Sequence, residues 1–170
     1  MREEKGNEAW RLALLRAVLA AGCMAAQLAS LPRASFTGSV FAACFFIYSL
    51  VLLTLARRIR RERTDRLLLL ITDTVLYLGW VSLAAPGAIW LAPVFYFFLL
   101  TVAVMEQGWR ETVVVVGAVT LYHLIVIPPG TERLWPGLLA IGLLGLVFAY
   151  QHAVLLARIK RAEQIGRAHV

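Results

Sequence analysis

Six apolar runs, each about as long as a bilayer is thick, take up most of this chain. They cover Trp10–Ser30, Thr37–Ala56, Leu67–Ala85, Ile89–Met105, Thr112–Ile127 and Leu134–Ala157. A spanning helix uses about 20 residues, or fewer with tilt or a locally thinned membrane. The runs do not alternate, as a barrel strand would over ~10 residues. Inside lipid a helix satisfies its own backbone polar groups, which an isolated strand cannot do. Six such helices in 170 residues leave no length for a soluble catalytic domain. Apolar residues make up 61% and charged ones 16%, against ~45–50% and ~25% in soluble domains. That content excludes a disordered chain, and the presence of only two cysteines excludes a disulfide scaffold. The expected fold is all-α, a polytopic membrane protein built as a six-transmembrane-helix bundle.

The connections are short. Leu31–Phe36, Pro86-Gly87 and Pro128–Glu132 hold the proline and glycine that stop one helix and reverse the chain. Sequential spans are therefore antiparallel neighbours. Arg2, Lys5, Arg11 and Arg16 lie at the amino-terminal end, six arginines fill the connection from Arg57 to Arg66, and Arg110 follows the fourth span. Arg158, Lys160, Arg161 and Arg167 follow the sixth. These fifteen cations share one side of the membrane, and Arg33 and Arg133 alone take the other. The positive-inside rule puts both termini in the cytoplasm. The first apolar run exceeds the ~7–15 residues of a signal peptide, so it reads as a retained span. A net charge of +7 is accounted for by topology and anionic headgroups, with no nucleic-acid partner implied.

Polar groups inside the spans are the candidate functional residues, because an ionisable group there is costly. Asp73, flanked by Thr72 and Thr74, sits ~10 Å from the cytoplasmic end of the third span, and His152 sits ~9 Å from that end of the sixth. The two could pair if those helices touch. His123, beside Tyr122, lies ~18 Å deep in the fifth span. The sharp reading is a proton-linked or ligand-sensing cluster of Asp73, His123 and His152. The plain one is interhelical hydrogen bonding, worth under ~1 kcal/mol per bond. A bis-histidine haem is disfavoured, since His123 and His152 differ by ~9 Å in depth.

Cys23 and Cys44 lie at similar depth, and read as packing residues and not as a disulfide. Tyr77, Trp80, Trp90, Phe95, Tyr96, Phe97 and Phe98 offer aromatic surface for a quinone, but an interfacial aromatic belt explains them better. Ala17, Ala21, Ala25 and Ala29, with Gly22, Ala26 and Ser30, form a small-residue face for close helix approach. Gly137, Gly142 and Gly145 thin the sixth span, for packing within the chain or between copies. No zinc-hydrolase, serine-hydrolase, phosphate-loop or Cys-x-x-Cys pattern occurs. No catalytic residue, cofactor or metal is expected, and the residues name no small-molecule ligand.

The sixth span runs without glycine or proline into Arg158–Gln164, as the start of a cytoplasmic signalling helix would. Residues Ile165 to Val170 can be written ATC GGA AGA GCA CAC GTC, a string common in sequencing adapters. They are expected to be foreign to the natural protein. The expected organisation is a transmembrane domain over 1–157, a helix start over 158–164 and a non-native tail over 165–170.

Several features resemble the amino-terminal sensor region of bacterial six-span membrane signalling proteins, histidine kinases and diguanylate cyclases among them. They are the basic loop Ala56–Arg66, Leu69-Leu70-Ile71-Thr72-Asp73, the run Ala92–Leu100, Gly108-Trp109-Arg110 and the exit Ala157–Gln164. The resemblance implies a bacterial inner-membrane sensor in a two-component system. Such a module would dimerise through its sixth helix and feed a cytoplasmic kinase. The fragment itself would not be an enzyme. A cyclase output, or a small transporter or channel subunit, is the alternative, although no internal repeat or broken mid-membrane helix favours the latter.

Overall fold

The structure, a computed structural model, describes residues 2–30, 35–55, 63–126 and 133–168. The expected connections at 31–34 and 127–132, the basic loop at 56–62 and the last two residues lie outside them. Six main helices follow one another: α1 Arg2–Ala29, α2 Phe36–Leu55, α3 Arg63–Leu83, α4 Ala92–Val102, α5 Trp109–Val126 and α6 Trp135–Ala168. A single 3₁₀ turn, Ile89–Leu91, leads into α4, and α4 continues as a π-helical segment, Ala103–Gln107. No strand occurs among the described residues. Six stretches of 18 to 25 residues are long and apolar enough to cross a membrane. At 1.5 Å per residue they measure ~27–38 Å, enough for the hydrocarbon layer. Their ends fall within a few residues of the runs read from hydropathy.

Two breaks have local causes. Pro93 sits in the first turn of α4, where its missing N–H is no loss and its fixed φ suits the helix. Gly108 has φ +129°, a conformation that favours glycine. Its N–H donates to the Ala103 carbonyl at 3.0 Å, and its own carbonyl accepts from the Thr112 hydroxyl at 2.8 Å. This one residue thus ends the π segment and starts α5.

Lipid is as apolar as the side chains, so association rests on close packing and polar contacts. α4 is the central element, with Phe95, Tyr96, Leu99 and Leu100 all buried. Phe45 of α2 stacks on Phe95, with centroids 5.1 Å apart, and Tyr77 of α3 meets Phe95 edge-on and Tyr96 face-on, both at 5.5 Å. The aromatic-belt expectation is therefore corrected for Tyr77, Trp80, Phe95, Tyr96 and Phe98, which form the core. Only Trp90 and Phe97 stay exposed. Glycines bring α6 onto α4: a Cβ at Gly142 would lie 2.8 Å from the Tyr96 hydroxyl, and one at Gly145 would lie 2.8 Å from Leu100 Cδ1.

The packing face of α1 also differs from expectation. Ala13, Arg16, Ala20, Cys23 and Gln27 are buried; of the expected face Ala17 is buried and Gly22, Ala26 and Ser30 are half-buried, whereas Ala21, Ala25 and Ala29 are exposed. A strict four-residue repeat drifts around an α-helix, because a turn takes 3.6 residues. Spacing of three and four alternately keeps one stripe on the neighbouring helices. Outward faces carry Leu15, Val18, Ile71, Val114, Ile125 and Phe148, all more than half exposed. Lipid tails would cover such surface.

Candidate functional site

The buried stripe of α1 carries two polar residues, and each reaches α3 or the turn after it. Arg16 meets Asp73 side-on. Its Nε donates to Oδ1 at 2.9 Å and its Nη2 to Oδ2 at 2.5 Å. The side chains are 2% and 0% exposed, so this is a fully buried ion pair. Phe98 of α4 covers it, its ring centroid 5.7 Å from Arg16 Cζ. Arg16 Nη1 is also buried and has no hydrogen-bond partner among the described residues.

Gln27 forms the second clamp. Its Oε1 accepts the backbone N–H of Ala85 at 3.0 Å, just after α3 ends. Arg16 and Gln27 are eleven residues apart and their partners twelve, rises of ~16.5 and ~18 Å. α1 and α3 thus run parallel in a matched register, joined at mid-helix and again where both end. Gly38 of α2 lets the second clamp form, since a Cβ there would overlap the Leu83 carbonyl oxygen and crowd Gln27 Nε2.

Asp73 is therefore buried as expected, but its partner is Arg16 and not His152. α6 packs on α4, α5 and the π segment, and His152 lies half-buried on it. An arginine fork engages both carboxylate oxygens and carries the opposite charge. Thr72 and Thr74 serve their own helix, donating to the Leu68 and Leu70 carbonyls at 2.9 and 2.7 Å. Arg16, which by sequence reads as one of the topology-setting cations, lies inside the protein. The charge asymmetry does not depend on it. Its place in the stripe 13–16–20–23–27, among small residues, was the available signal.

His123 is buried near the end of α5. Its Nδ1 lies 2.8 Å from the Val119 carbonyl, and its Nε2 is buried without a hydrogen-bond partner among the described residues. The ring stacks on Trp135 of α6 at 5.2 Å, with Tyr122 edge-on at 5.9 Å and Tyr77 tilted at 6.4 Å. Tyr122 also hydrogen-bonds Ser82 of α3. The three expected residues thus fall into separate surroundings: Asp73 in the ion pair, His123 in an aromatic cage and His152 on α6. Cys23 is buried, Cys44 faces outward and both are free thiols. Among the described residues no three His, Cys, Asp or Glu converge as metal ligands would.

Fold and site together define a polytopic six-helix membrane protein with a buried charge clamp between its first and third helices. The chain matches no family model, no curated protein and no solved structure.

Proposed function

We propose that the chain is the membrane-embedded input module of a bacterial signalling protein, with both termini in the cytoplasm of an inner-membrane, two-component system. It would pair with a second copy through α6 and pass a stimulus to a histidine kinase. The observation that carries this reading is the continuity of α6. It runs unbroken from Trp135 to Ala168, and the part up to Gln164 alone spans ~45 Å, where the hydrocarbon layer needs ~30 Å. Phe148, His152, Leu155, Ile159 and Ala162 recur along it at alternating spacings of four and three, the pattern of a coiled-coil seam. Leu155 and Ile159 are exposed, which suits a face that a second copy covers.

A stimulus would change how the helices pack, and α6 would carry the change as a rotation or shift. Asp73, His123 and His152 are the positions where it would act. Moving a two-state equilibrium from 1:99 to 99:1 takes about 5.5 kcal/mol. Leaving one charge of a buried ion pair uncompensated costs about 3–5 kcal/mol, so a packing change that separated Arg16 from Asp73 while both stayed buried would carry a penalty of that order. A diguanylate cyclase output would use the same exit helix.

The test fuses the chain through Gln164 to the dimerisation and catalytic domains of a histidine kinase, with zero to seven residues inserted at the junction. Autophosphorylation in membrane vesicles should rise and fall with a period of about 3.5 residues. Output that is flat across the series would overturn the proposal.

A further inference from the structure

His123 is a buried titratable group for which the ion pair has no use. The Val119 carbonyl has no proton, so Nδ1 of the neutral ring must be the donor in that 2.8 Å contact. This leaves Nε2 as a lone pair, buried and without a partner among the described residues. Its surroundings suit a positive charge. Trp135 presents its ring at 5.2 Å from α6, Tyr122 its ring at 5.9 Å from α5 itself, and Tyr77 its ring at 6.4 Å from α3. Of the three, Trp135 is stacked on the imidazole and within the ~6 Å over which a ring face attracts a cation, and tryptophan attracts most strongly; Tyr122 meets the imidazole edge-on and Tyr77 lies tilted beyond that distance. The Tyr77 hydroxyl is itself buried and has no hydrogen-bond partner among the described residues.

The groups facing His123 from the elements around it are Tyr77 on α3, with Tyr96 of α4 stacked behind it, and Trp135 on α6. Glu106 lies at the far end of α5, in the π segment, and Asp73 is engaged by Arg16. Among the described residues no carboxylate contacts the imidazole. The ring is three residues from Val126, where α5 ends, ~4.5 Å along the axis. The nearer face of the membrane is therefore the one that holds the α5–α6 connection.

We propose that the His123 cage is a proton-binding site that reports the acidity of that side to α6. Uptake of one proton at Nε2 converts the neutral imidazole to imidazolium, with Nδ1 still donating to Val119. The new charge tightens the stack on Trp135, the first residue of α6. This deepens the signalling reading and rests on it for the consequence in α6, but the protonation can be read without any output domain.

The experiment uses the whole chain in proteoliposomes and follows Trp135 emission, because an imidazolium stacked on an indole quenches it. Five tryptophans are present, so Trp135→Phe supplies the spectrum to subtract and leaves His123 untouched. Acidifying the α5–α6 side from about pH 8 to pH 5, the range in which imidazoles change charge, should quench the Trp135 component. Acidifying the opposite side should not. His123→Asn, whose amide can still donate to Val119, should abolish the response. Trp135 emission that is equal at both pH values, or quenching that survives His123→Asn, would overturn the proposal. Failure of the signalling reading looks different: Trp135 emission would respond to acid as expected, while the kinase fusion showed no phase dependence.

Discussion

Replacing Asp73 by alanine leaves the Arg16 guanidinium buried, with Nε and Nη2 losing the bonds they make to the carboxylate. The expected loss can be estimated in two ways. Breaking a buried pair by removing one partner costs about 3–5 kcal/mol. An unpaired arginine at the centre of a spanning helix costs about 2.5–3.5 kcal/mol on insertion scales. Both point to about 3 kcal/mol, or a roughly 150-fold shift in the folding equilibrium. Ordinary interhelical hydrogen bonds average only about 0.6 kcal/mol, so the two classes of contact are separable. The decisive assay is a double-mutant cycle on reversible unfolding in mixed micelles. Arg16→Met should also destabilise, because it leaves a buried carboxylate. Arg16→Met with Asp73→Leu removes both charges and should recover most of the loss, since apolar replacement of a whole buried pair is often neutral. A coupling below about 1 kcal/mol would refute the buried-pair reading and reduce the contact to a surface-like ion pair.

Gln27→Met keeps the side-chain volume but leaves the Ala85 N–H without its acceptor, and should cost about 1–3 kcal/mol in thermal unfolding in detergent. Gly38→Ala should destabilise by about 1–3 kcal/mol through overpacking against the Leu83 carbonyl. Gly22→Ala, where a Cβ meets nothing within 4 Å, should be neutral or gain up to about 1 kcal/mol from helix propensity. Equal stability of the two alanine variants would contradict the close approach of α2 to the end of α3.

Much of the architecture is legible in the chain because hydropathy over ~20 residues is a property of each segment alone. The six spans and the unbroken exit of α6 follow from it. Burial of Asp73 was legible too, since a lone carboxylate in an apolar run has to face protein. Its partner was not, because Arg16 and His152 lie at comparable depths and depth does not say which helices touch. Arg16 also resembled the cations around it, since a positive charge six residues after Trp10 reads equally well as an interfacial anchor. The aromatic residues show the same ambiguity. Composition places Tyr77, Phe95 and Tyr96 near one end of the spans, but only the lateral position of α4 decides that they are core and not belt.

Sequence by itself thus determined the number of spans, their approximate ends and the imbalance of charge across the membrane. These depend on transfer between water and lipid, which each residue undergoes with little regard to its neighbours. Tertiary structure decided the angular questions: which stripe of α1 is buried, that Arg16 and Gln27 pin it to α3 in register, and that His123 rests on Trp135. The physical reason is that lipid solvates every apolar face about equally well. Hydrophobicity therefore cannot choose the face that turns inward, and close packing and a few polar contacts across helices make the choice.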